Sequence, residues 1–311
     1  MTYEAFKTIV IKEMGNLFPD AKVECQTVLK NNDEKYDGLI VMKPEECCYP
    51  TIYLNEYYKP DITPDDMLDI LFEIFQIVET NNATFRVQEI LNNFKEFEYI
   101  KNQITYVLVN KEFNKERLKD TVYRDFMDMA IIYKIDIDRT ASITILNKHI
   151  ENWGVTEEDL FNAAKENTPK IYPVEVEKMV DIIESTMKKK SEGHFSEFKE
   201  VFKLVSGISF EEFVSRYENS GIVVTNNAKH LGAAVCLYDG VLEKLTDKFS
   251  ENPLIVMSSV NEFLIYERNE KMEKTLFDIV KDTNQSMERT EILSNNVYEY
   301  DKESKKLRIL K

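Results

Sequence analysis

Three polar residues in the last third of the chain have the types that nucleophilic catalysis uses: Ser258 as attacking hydroxyl, His230 as the base that takes its proton, and Glu262 to orient the imidazole. His230 falls in a predicted hairpin turn with Asn226 and Lys229, while Ser258, Ser259, Asn261 and Glu262 fill a segment between two predicted strands. The grouping forms only if both segments reach one edge of a sheet. Neither serine lies in a G-x-S-x-G elbow, so ordinary turn chemistry accounts for the same residues. A second grouping, Glu24, Asp37 and Lys43, has the residue types of a metal-dependent nuclease, in which carboxylates hold Mg²⁺ and a lysine supports the attacking water. The Glu-x-Lys pair that such a strand usually carries is missing.

His149 and Trp153, four residues apart ahead of a predicted helix, could line a ligand pocket; the same pair also serves as a tryptophan packed at a helix entrance beside a backbone-bonding histidine. Cys47 and Cys48 are adjacent, but Glu45 and Glu46 disfavour the thiolate, which points to inert packing. The three histidines show no i, i+4 pair and the glycines are scattered, so no metal site, P-loop or dinucleotide fingerprint is expected, and no cofactor.

The formal charge of −16 opposes nucleic acid and anionic lipid, both of which require a basic footprint. No stretch approaches the roughly 18 apolar residues of a membrane span. The first residues lack the order of a signal peptide, and the four cysteines form no C-x-x-C pair. Together these features predict a cytoplasmic protein with no membrane partner. Clear fold grammar with little reactive chemistry favours a non-enzymatic binding protein for an unknown protein or small molecule; the hydrolase is the alternative and the nuclease the third choice. Tyr53, Tyr57 and Tyr58 form the candidate binding face, because aromatics are enriched at interfaces.

The elements that must carry these residues read as α+β, with mainly antiparallel sheets and helices packed on one face, in two domains or two sheet-containing halves. A helix over residues 3 to about 17 is followed by alternating strands at 21–30 and 36–43 and another at 50–54. Thr63, Pro64, Asp65 and Asp66 start a helix that Asn81-Asn82 closes. Helix 85–102, strands 104–109, 127–137 and 142–146, and a short helix within 110–121 come next. The best-defined start is Thr156 with Glu157, Glu158 and Asp159, and this helix is expected to stop near Asn167-Thr168-Pro169. Residues 174–220 read as a charged helical connection. Beyond it, strands 222–225, 232–238, 254–257 and 262–266, helices 239–249 and 271–283, and a hairpin over 297–310 complete the chain. The expected organisation is an N-terminal α+β domain (1–173), the connection (174–220) and a C-terminal α+β domain (221–311).

The run from His149 through Trp153-Gly154 to Leu160, with Glu166-Asn167-Thr168-Pro169 after it, resembles the signature of an uncharacterised family of gut-dwelling Gram-positive anaerobes. Cys25 to Asn32, Pro50 to Leu54 and Ser294 to Asp301 fit the same pattern, so the resemblance extends over most of the chain. A second uncharacterised bacterial family with a Trp-Gly helix start is similar more faintly. The resemblance implies a bacterial, intracellular setting and a domain of unknown function, and brings no catalytic residues with it.

Overall fold

The first turn of α1 (Tyr3–Leu17) forms where the Thr2 hydroxyl accepts the Ala5 N–H, and Phe6, Val10 and Met14 then recur on one buried face. In the computed structural model, which describes residues 1–44, 49–80, 85–137, 141–215 and 221–310, this helix opens the first of two compact units, Met1–Lys101 and Asn102–Lys311. The Cys47-Cys48 pair and the Asn81-Asn82 helix end lie outside the described residues.

In the first unit, strands β1 (Lys22–Leu29) and β2 (Lys35–Met42) pair antiparallel, and the short β3 (Ile52–Tyr53) adds to β2. Helix α2 (Pro64–Thr80) begins with Thr63 and Asp66 bonding each other reciprocally, and buries Ile74 and Val78 with Leu39, Val41, Phe6 and Val10. Helices α3 (Phe85–Asn92) and α4 (Phe97–Ile100) complete this unit.

The second unit holds, among its described residues, two antiparallel sheets. Strands β4 (Ile104–Asn110), β5 (Tyr123–Phe126), β6 (Met129–Asp136) and β7 (Ser142–Thr144) form one, with β6 pairing with the other three; a short helix α5 (Lys115–Leu118) links β4 to β5. After α6 (Asn147–Trp153), whose turn ends at Gly154 in the left-handed region, α7 (Glu157–Ile171) starts at the Thr156–Asp159 capping box. α7 closes the free edge of β4: the Thr168 hydroxyl accepts the Tyr106 N–H at 3.2 Å and Asn167 donates to the Ile104 carbonyl at 3.1 Å.

The other sheet runs in the order β13 (Lys306–Ile309), β12 (Val297–Asp301), β10 (Leu254–Val256), β11 (Phe263–Tyr266), β9 (Ile222–Asn226), β8 (Val174–Lys178). Helices α8 (Met179–Lys190), α9 (Phe195–Ser206) and α10 (Phe210–Ser215) lie between β8 and β9, and a phenylalanine cluster of Phe195, Phe198, Phe202, Phe210 and Phe213 holds α9 to α10. α11 (Val241–Thr246) precedes β10, and α12 (Glu270–Ser286) packs Leu276 and Val280 on Leu254, Val256 and Val297.

The α+β reading holds, with antiparallel sheets as expected. Several local expectations change. Residues 232–237 are a 3-10 turn rather than a strand, because the Gly232 and Ala233 N–H groups donate to Asn261 and Val260 carbonyls and the small side chains bury against β4 and β9. α7 continues through Pro169 to Ile171, since a proline in the last turn forfeits a single helix bond. β5 joins β6 where no strand was expected. Residues 174–178 are a strand of the C-terminal sheet, so they belong with residues 221–311 and not only to a helical connection; the division between units falls at Lys101/Asn102 rather than near residue 173.

Candidate functional site

Lys134 and Asp136 interrupt the apolar run of β6 two residues apart, so the strand pleat puts them on one face. Lys134 Nζ stands 2.9 Å from Asp136 Oδ1, with only 13% and 7% of their side chains exposed. On the neighbouring strand the fully buried Thr105 donates to Asp136 Oδ2 at 2.6 Å. Charges this deep persist only when paired and hydrogen-bonded, which the strand register achieves by setting Thr105 opposite Lys134.

Lys134 and Asp136 form one wall of a cavity of about 330 Å³ within the second unit. Tyr106, Val107, Thr168, Ala234 and Tyr238 are its buried base, Tyr172 stands beside Lys134 with Nζ 5.5 Å from its ring centre, and Ser142, Asn227, Ala228 and His230 form the exposed rim. The Tyr238 hydroxyl donates to the Tyr172 carbonyl at 2.9 Å, whereas the Tyr106 hydroxyl is buried with no partner among the described residues. Burial raises both phenols well above the usual tyrosine range, so they act as neutral hydroxyls.

The rim loop after β9 is held in an uncommon backbone. Lys229 and Leu231 have φ of 51° and 54°, a region that non-glycine residues enter at a cost of about 1–3 kcal/mol each. Asn226 supports it by donating to the His230 carbonyl at 2.8 Å and accepting the Ala228 N–H at 3.0 Å. Gly232 then passes so close to β9 and the 258–262 segment that a Cβ would come within 2.2 Å of Thr225 Oγ1 and 2.5 Å of the Asn261 carbonyl. Asn261 joins the two loops: its carbonyl accepts from Gly232 N at 3.0 Å and Thr225 Oγ1 at 2.7 Å, and its side chain accepts the Leu231 N–H at 3.0 Å.

A family model described as a family of unknown function (DUF5688) matches residues 3–302. The chain belongs to that family. No curated protein and no solved structure matches it.

In this DUF5688 chain the two segments singled out for hydrolysis do meet, but through Asn261. The His230 imidazole is hydrogen-bonded with Asn261; partial burial lowers its pKa first, then Lys134, against the opposing pull of Glu291. Glu262 bonds Ser259, and burial pushes its carboxyl up. Ser258 is buried, with its carbonyl accepting the Leu293 N–H. Of the three candidates, His230 reaches the cavity lining and Ser258 and Glu262 are not part of it.

His149 and Trp153 share the short helix α6, with ring centres 5.6 Å apart and His149 Nδ1 accepting the Leu146 N–H at 3.1 Å. They too lie outside the cavity lining. In the first unit, the β1–β2 register puts Asp37 opposite Thr27 and Glu24 opposite Ile40, so the two carboxylates project from opposite faces and cannot share one ion. Asp37 instead pairs with Lys7 at 3.1 Å and Lys43 with Glu79 at 3.4 Å. Tyr53, Tyr57 and Tyr58 are half-buried: Lys30 Nζ lies 3.5 Å from the Tyr53 ring centre, Tyr57 donates to Glu73, and Tyr58 packs edge-on to Tyr3 while donating to the Met1 carbonyl.

Sequence reasoning passed over Lys134, Asp136, Thr105, Tyr106 and Tyr172. The available signal was the Lys-x-Asp pair inside an otherwise apolar strand, since two opposite charges two residues apart must face the same buried side.

Proposed function

We propose that the chain is a small-molecule binding protein whose ligand occupies the cavity between β4, β6, α7 and the 226–231 loop. The observation that carries this reading is the strained rim loop, locked by Asn226, Asn261 and Gly232 over a cavity whose wall holds a mostly buried ion pair. Local strain of this kind persists where the surroundings over-determine it, commonly at binding sites. The cavity lies at the small end of the roughly 300–1,000 Å³ range of ligand pockets. Binding without turnover is the simpler reading, because the histidine at the rim is engaged with Asn261 rather than with a serine. Free Cys25 and Cys236 suit a reducing, cytoplasmic setting. Among the described residues no helix is long and apolar enough to cross a membrane.

The test is a thermal-shift screen of the full chain against a panel of small metabolites, repeated on Ala228→Phe, which fills the exposed rim. A ligand at 100 times its Kd stabilises by about 2.7 kcal/mol. Stabilisation of the wild type that disappears in Ala228→Phe is expected. A silent panel, or equal shifts in both proteins, removes the reading.

A further inference from the structure

The lining of the cavity is electrically asymmetric. Asp136 is its one acid among the described residues; its Oδ2 takes the Thr105 hydroxyl and its Oδ1 has no exposed surface. Lys134 is the more exposed member of the pair. Its Nζ lies 2.9 Å from Asp136 Oδ1. An ammonium has three N–H groups, so the single carboxylate oxygen beside it leaves donors for an occupant. The rest of the lining adds no competing negative charge: Tyr106 and Tyr238 are neutral hydroxyls, and the Asn226 side chain is committed to the rim loop.

Beside Nζ lies the Tyr172 ring, with Val107, Leu231 and Ala234 extending an apolar surface. A cationic occupant would meet the Lys134 ammonium directly. An uncharged one would accept from its N–H groups without the Coulomb attraction that a carboxylate adds.

We infer that the occupant is a small organic carboxylate, its oxygens on the Lys134 ammonium and its carbon body against Tyr172, Val107 and Ala234. This rests on the small-molecule reading above. The volume of about 330 Å³ admits a small organic acid.

The experiment compares three probes of one shape and different charge, benzoate, benzamide and benzylamine, by calorimetry and ligand-observed NMR on the full chain. Benzoate is expected to bind at least tenfold more tightly than benzamide, with benzylamine the weakest. Ala228→Phe should abolish benzoate binding. The paired change Lys134→Met with Asp136→Asn removes both charges together and should weaken benzoate at least tenfold while leaving benzamide within about twofold. Benzamide or benzylamine binding best, and being blocked by Ala228→Phe, overturns the carboxylate and keeps the cavity as a binding site. No binding by any of the three also overturns the carboxylate, and the metabolite screen then decides the cavity itself. Benzoate held equally well by the paired variant overturns the role of Lys134.

Discussion

Replacing Lys134 by Met leaves Asp136 buried with the Thr105 hydroxyl as its remaining partner. Removing one member of a buried pair costs about 3–5 kcal/mol, most of it the penalty on the charge left behind. A ceiling exists, because a stranded carboxylate can escape by taking up a proton, and neutralising an ordinary aspartate at pH 7 costs about 4 kcal/mol. The 2.6 Å bond from Thr105 persists and the site keeps a little solvent contact, so a loss of about 3 kcal/mol is expected. The pair Lys134→Met with Asp136→Asn leaves no buried charge, and the new amide can still accept from Thr105, so its loss should stay near 1 kcal/mol. Urea unfolding followed by Trp153, the single tryptophan and a reporter of the second unit, measures both variants. If the single and paired variants lose the same stability, the pair is not energetically coupled and the account of the cavity wall is wrong.

Three further outcomes follow from the same geometry. Gly232→Ala should cost several kcal/mol or prevent folding, since its methyl would meet Thr225, Asn261 and the Asn226 backbone together; a shift in the urea midpoint below about 1 kcal/mol would show that the two loops can separate easily. Thr156→Ala removes the α7 cap and should cost about 1 kcal/mol, read from the same unfolding curve. His230 and His149 both have pKa values lowered by partial burial, with Lys134 and Lys148 as the next causes, so the unfolded chain binds their protons more readily. The stability they contribute is complete above the ordinary histidine value of about 6.5 and declines as pH falls below it. A midpoint that drops between pH 7.5 and 5.5, with part of the drop removed by His230→Gln, is expected; an identical drop in that variant would exclude His230 as a contributor.

The elements legible in the sequence were those whose own residues settle them. Thr156 to Asp159 satisfy a helix start locally, and the alternation at Val23 and Cys25 needs only one covered face; it does not extend to Thr27 and Leu29, which are exposed beside a half-buried Val28. Elements decided by distant partners were not legible. β8 alternates Val174 and Val176 with Glu175 and Glu177 at a sheet edge, and reads as a charged connection until β9 lies beside it. Residues 232–237 have strand-like composition, but Val260 and Asn261 claim their first N–H groups. The surroundings of the candidate residues depend on distant partners in the same way. His230 and Glu262 have reactive side chains, yet their bonds go to Asn261 and Ser259, and Ser258 lies outside the cavity lining, while the cavity wall is built by a pair hidden in what looks like an ordinary core strand.

The pairing of β8 with β9 has a consequence for how this part of the chain can change. Lys178 and Ile222 face each other at the end of the ladder, so the polypeptide leaves the sheet after Lys178 and returns beside its own point of departure. The helices in between are therefore a cassette hung from one hairpin position. Its length and sequence can be exchanged, or a tight turn substituted, without altering the register of β8 and β9 or the path of the rim loop that follows.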